Sequence, residues 1–109
     1  MTVTVSIDEL SAALAEQVGW CYLLTISDDG QTRILAVTVD DLGAGMLRFD
    51  VGTKGTAANV AAHRRVTLLF PPQRPDGMSL IVDGTATVED GTVSFVADAA
   101  VKHRSALRV

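Results

Sequence analysis

Two periods of hydrophobic and polar residues follow one another along this chain. The first is helical: Ile7, Leu10, Leu14 and Val18 recur on one face. Ser6, with Glu9 three residues later, forms a capping box ahead of them, and Gly19 supplies a stop, so a helix is predicted over residues 7–18. The period then falls toward two. Residues 20–27 and 31–40 read as paired strands about the short loop Asp28-Asp29-Gly30, whose glycine is free to take positive φ. Residues 46–51, 66–70, 79–89 and 92–97 complete six strands, with Gly84 marking a bulge in the fifth. A glycine-rich turn at residues 42–45 and Asp90-Gly91 join neighbouring strands, while Pro71, Pro72, Pro75 and Gly77 impose an irregular loop. An alanine-rich helix is predicted over residues 56–63, between strands three and four, with Thr56 as its N-cap. Residues 98–107 are expected to close the chain with a helical turn or two around Val101 and Leu107.

Each of the first two strands carries apolar residues on both faces: Leu23, Leu24 and Ile26 in the first, Ile34, Leu35, Val37 and Val39 in the second. A sheet with one solvated face would alternate more cleanly, so this sheet needs covering on both sides. Six modest strands joined by tight turns predict a mainly β, antiparallel barrel rather than a parallel α/β fold. The glycine fingerprint of a dinucleotide fold is absent, and Lys54-Gly55-Thr56 has the wrong order for a P-loop.

Size and composition narrow the setting. With 109 residues, one domain over residues 1–109 is expected, and a 48% hydrophobic content with only 5% aromatics leaves Val, Leu, Ile and Ala to fill the core. No apolar run approaches the roughly 20 residues that span a bilayer, and the start lacks a secretory pattern, so a cytoplasmic protein without membrane association is expected. The single Cys21 lies in an apolar run and reads as a core residue. A net charge of −4 argues against nucleic acid.

One window departs from the acidic balance. Residues 51–75 hold no Asp or Glu, yet contain Lys54, Arg64, Arg65 and Arg74. The window opens with Gly52-Thr53-Lys54-Gly55-Thr56 just before the second helix. A glycine-containing turn feeding a helix start offers free N–H groups and the positive end of the helix dipole, which suits a phosphate or other small anion. Arg64 and Arg65 follow the helix and read as structural cations at its negative end. His63 and His103 lack a carboxylate or cysteine at ligand spacing, so no metal is expected. No nucleophile elbow or acid–base set is present.

Several stretches, in order, carry a resemblance: residues 20–30 (Trp-Cys-Tyr-Leu-Leu-Thr-Ile-Ser-Asp-Asp-Gly), Ala36-Val37, Met46-Leu47-Arg48-Phe49, residues 58–70 and residues 82–88. Together they resemble the pyridoxamine 5′-phosphate oxidase-related superfamily, and His103-Arg104 is similar to the ending of its small actinobacterial members. The resemblance implies a six-stranded antiparallel split β-barrel, and a homodimer with FMN or a deazaflavin (coenzyme F-420) in a groove between subunits. It implies a flavin- or deazaflavin-dependent oxidoreductase whose substrate stays open, and a phosphorylated cofactor as the small-molecule partner.

The match departs at the phosphate motif, where relatives often carry Ser-Arg-Lys and this chain has Lys54-Gly55-Thr56 three residues ahead of Asn59. It departs again at Leu35, where true oxidases place an arginine; Arg33, two residues away, projects to the same face. The chain also lacks the C-terminal segment with which those oxidases hold pyridoxine, so that activity itself is not expected. The candidate cofactor residues are Arg33, Val37, Thr38, Gly52, Thr53, Lys54, Gly55, Thr56 and Asn59, with Phe49 and Val51 as further walls of a ring slot. A cofactor-free split barrel, serving as a small-ligand binding or assembly module, is the alternative.

Overall fold

The computed structural model describes residues 2–108. Its elements in chain order are β1 (Thr2–Val5), α1 (Ile7–Ala15), β2 (Trp20–Ile26), β3 (Thr32–Thr38), β4 (Asp40–Gly43), β5 (Met46–Asp50), α2 (Gly55–Ala62), β6 (Arg65–Phe70), β7 (Met78–Glu89) and β8 (Thr92–Arg104). All strand pairs are antiparallel, in the order β3-β2-β6-β7-β8-β5-β4, and β1 pairs with β8.

The chain passes from β3 to β4 through Val39 alone, yet these two strands lie at opposite ends of the strand order. The sheet must therefore curl until its two ends approach, and β3 does pack near β5 without pairing to it. The result is a curled antiparallel half-barrel with two helices. Eight strands replace the six expected. β1 was not anticipated, and the second predicted strand, residues 31–40, ends at Thr38, with Asp40 opening β4.

The largest correction lies at the C-terminal end. Residues 98–104 are not helical: β8 runs on to Arg104, because β7 offers partners as far as Met78 on one side and β1 pairs with residues 100–103 on the other. A segment with two ladders to complete gains more as a strand than as one or two helical turns.

Register shifts between Asp83 and Gly84, so that Asp98 becomes the extra residue of a bulge on β8. A side chain at Gly84 would strike the Val96 carbonyl oxygen and lie 2.6 Å from Cζ of Phe95, which is why only glycine fits there. The bulge turns Asp98 toward Arg65, and the two form an exposed two-point ion pair. Arg65 thus stands on the sheet rather than at a helix end.

The core gathers inside the curl. Leu23, Leu68, Leu80, Val82, Val93 and Val60 are fully buried, and so are Phe49, Phe70 and Phe95. The three phenylalanines fill more of the core than the low aromatic content suggested, since all of them point inward. Both capping-box hydrogen bonds form at Ser6 and Glu9, but α1 ends at Ala15, and Val18 is exposed. α2 begins at Gly55 with Lys54 in the N-cap position, so Thr56 lies inside the first turn rather than capping it.

Candidate functional site

α2 is fastened across the turn end of the β2–β3 hairpin by two contacts. The Asn59 amide Nδ2 donates to Thr25 Oγ1 at 3.4 Å, where Thr25 is the one buried polar residue of β2. At the other end of the helix, His63 Nε2 lies 3.0 Å from Asp28 Oδ1. The hairpin turn itself is closed by Gly30 N–H to the Ser27 carbonyl and Ser27 N–H to the Gln31 carbonyl, both 2.9 Å, with Gly30 at φ 80°.

Between helix and hairpin lies a groove of about 380 Å³ lined by Ser27, Arg33, Ile34, Gly55, Thr56 and Asn59. Arg33, Gly55, Thr56 and Asn59 were expected from the sequence, and the fold brings them together. Ser27 and Ile34 are additions: in the sequence Ser27 reads as the last residue of a strand, and Ile34 as one more apolar position of an apolar strand.

The groove has a positive but moderated character. Arg33 is exposed and faces Asp29 at 3.8 Å, so part of its charge is already answered. Asp29 is held below the usual carboxylate range, chiefly by the Ser27 hydroxyl, then by the Gln31 N–H and more weakly by Arg33. The helix start adds donors. No side chain caps α2, no acidic residue stands in its first turn, and its first internal bond is Ala58 N–H to the Lys54 carbonyl at 3.0 Å. The N–H groups ahead of Ala58 point out of the helix start without intrahelical partners.

β3 contributes something the sequence pattern did not reveal. It pairs only with β2 among the described residues, so the backbone N–H and C=O groups of its other edge have no strand partner.

The remaining candidates lie elsewhere. Lys54 is exposed and does not line the groove. Gly52, at φ 74°, and Thr53 pack against the β7–β8 turn: a side chain at Gly91 would sit 2.7 Å from the Gly52 carbonyl, and Val51 N–H donates to the Gly91 carbonyl at 2.8 Å. Val37 is buried in the core, and Thr38 is exposed opposite Trp20; four residues of strand put Val37 about 13 Å from Arg33. The Phe49 side chain is buried in the core, and Val51 is half-buried beside it. A second cavity of about 230 Å³ lies at that far end, between α1 and the hairpin, lined mostly by apolar groups including Leu14, Val39 and Phe70. Burial pushes the Cys21 thiol up to about 12, so it stays protonated and inert.

The curled antiparallel half-barrel with α2 laid across the β2–β3 hairpin is a fold this chain shares with several solved structures. A putative pyridoxamine 5′-phosphate oxidase from Listeria innocua superposes at a TM-score of 0.68 with 15% identity, covering 86% of this chain and 94% of its own. An FAD-binding protein from Mesorhizobium loti gives 0.70 at 16% identity over 96% and 98%, and an F-420 reductase gives 0.61 at 21% over 80% and 90%. In sequence, the chain is 38% identical over 94 residues to uncharacterised proteins of Mycobacterium bovis and Mycobacterium tuberculosis. That alignment takes in 79% of this chain and 66% of theirs, so the chain spans about two thirds of these relatives. No family profile matches the chain.

Proposed function

We propose that the chain binds FMN or the deazaflavin coenzyme F-420 at the groove between α2 and β3, as a homodimer, and serves as an oxidoreductase on a small molecule. The observation that carries this reading is the convergence of Arg33, Thr56, Asn59 and the uncapped start of α2 on one groove of about 380 Å³. A volume of this size and a few converging polar groups suit part of a small cofactor.

The residues present fit a single anionic group. Arg33 supplies the charge, the Thr56 hydroxyl and first-turn N–H groups supply donors, and Asn59 holds the helix in place through Thr25. The free edge of β3 offers backbone donors and acceptors to a planar ring lying along it. When bound, such a cofactor supplies hydride-transfer chemistry itself, so the chain needs only to bind, orient and exclude water. Ile34, 64% exposed, belongs both to the groove wall and to the apolar outer face of the sheet, so a second copy seated on that face would close the groove's open side. Lys54 acts at most from a distance in this arrangement.

Titration of the purified protein with FMN and with F-420, followed by absorbance and fluorescence, tests the reading: saturable binding of one of them is expected, weakened about tenfold or more by Arg33→Ala, since a charge-assisted contact contributes about 1.5–3 kcal/mol. A cofactor-free carrier or assembly module is the second reading. It is favoured by the Asp29 carboxylate beside Arg33 and by the place of Lys54 outside the groove. Absence of saturable binding to either compound leaves only that second reading.

A further inference from the structure

The outer face of the sheet carries rows of apolar side chains, several of them exposed, and among them stands one polar couple. Cross-strand register aligns Ala36, Tyr22, Leu69, Ile81 and Val101 in one apolar row across five strands. The next row runs Ile34, Leu24, Thr67, Asp83, Ala99. Trp20 and Ile26 extend the apolar surface along β2, and Trp20 packs edge-on against Tyr22 with ring centres 5.3 Å apart. Ile34, Trp20, Tyr22 and Ile26 remain exposed.

The Thr67 hydroxyl donates to Asp83 Oδ1 at 2.5 Å, and both residues are half-buried already. Arg65, the nearest cation on the face, is committed to Asp98. Asp83 is therefore a carboxylate in the middle of the apolar rows that makes no close ion pair among the described residues, acting on Arg65 only through space, and Thr67 is its side-chain donor.

We propose that a second copy of this chain covers the face, and that the Thr67–Asp83 couple at its centre sets how the two copies align. This rests on the dimer of the preceding reading. Extent favours that occupant: strands about 4.8 Å apart and a two-residue repeat of roughly 6.7 Å make five strands by four rows about 600 Å² per copy, within the range of a specific interface. Charge favours it too. A two-fold seam sets the same surface against itself, which demands near-neutrality, and apart from Asp83 the charges here are the paired Arg65 and Asp98. A carboxylate in such a seam is tolerated only where its hydrogen bond is kept, and apolar pairings that bury it elsewhere are disfavoured. It thus costs affinity and selects one alignment.

Two substitutions move in opposite directions on this account. Asp83→Leu removes the buried charge and is expected to tighten the dimer about tenfold, while weakening cofactor binding as the alignment loosens. Thr67→Val strips the carboxylate of its donor and is expected to weaken the dimer about tenfold. The dimer constant is read by sedimentation without cofactor, with circular dichroism melting to establish that each variant is folded; Asp83→Asn gives the same sign in milder form should Asp83→Leu not fold. Unchanged constants, or a shift in the same direction for both, overturn the proposal. A wild-type chain that stays monomeric yet binds flavin overturns it while leaving the groove standing. Opposite shifts in a protein that binds no cofactor support it and remove the flavin reading instead.

Discussion

β8 and β3 present opposite solutions to the same problem of satisfying a strand's edges. β8 is paired with β7 from Thr92 to Arg104, and its other edge is taken first by β5 and then by β1. Among the described residues β3 is paired along one edge alone, and only Val37 of its seven residues is buried. The first arrangement concentrates backbone hydrogen bonds and buried apolar area in one place, which makes it the stability-bearing part of the fold. The second leaves backbone groups and apolar side chains open beside the groove. On the proposed function, stability and binding are thus separated along the sheet, and substitutions should report one or the other.

The severest test is Gly84→Val, at the bulge between β7 and β8. A branched side chain there meets the Val96 carbonyl and the Phe95 ring, so a loss of about 3 kcal/mol or more, or failure to fold, is expected in chemical denaturation. Leu68→Ala, emptying a fully buried position of β6, should cost about 2–5 kcal/mol by the same measurement. Arg33→Ala sharpens the contrast from the other side. It should leave stability within about 0.5 kcal/mol of wild type while weakening cofactor binding about tenfold. A melting loss from Arg33→Ala comparable to that of Leu68→Ala would erase the division. Lys54→Ala, outside the groove, should change cofactor affinity by no more than about threefold, given the worth of an exposed charge at that range.

The smallest effect concerns acid. The Arg65 guanidinium holds the Asp98 carboxyl below its ordinary range, mainly through the hydrogen bond between them. A carboxyl lowered in the folded state contributes stability above its unfolded value of about 4, and that contribution fades as pH falls through the folded value. Asp98→Asn should therefore lower the melting temperature slightly at pH 7, where the contribution is fully present, and flatten its fall below about pH 4, so that the two proteins converge in acid. Both side chains are exposed, so added salt should shrink the difference further.

Local signals carried much of this fold. The capping box at Ser6, the turn at Gly30 and the break at Pro71-Pro72 are each decided within a few residues and are legible in the sequence, whereas Gly84 marks the irregularity but its extra residue, Asp98, falls on the neighbouring strand. The failures are nonlocal. Thr2-Val3-Thr4-Val5 alternates as a strand does, but it becomes β1 only because the far end of β8 lies ready to pair with it, about a hundred residues later. Residues 98–104 look indifferent to strand or helix until that pairing is known.

The groove shows the same division. Arg33 and Asn59 could be chosen by residue type and spacing. That Lys54 would stand outside the groove while Gly55 and Thr56 line it depends on where α2 starts, one residue earlier than its Thr56 suggested. Phe49 and Val37 were assigned to a wall from their strands alone. Which face of a strand turns into the curl is settled by the whole sheet, and both side chains turned inward.

The most direct measurement is a backbone amide NMR titration of the wild-type protein with FMN and with F-420. The account predicts saturable shifts centred on Ser27, Arg33, Ile34, Gly55, Thr56 and Asn59, with the β7–β8 amides unmoved. Shifts confined to the apolar cavity around Leu14 and Phe70, or none with either compound, would contradict it.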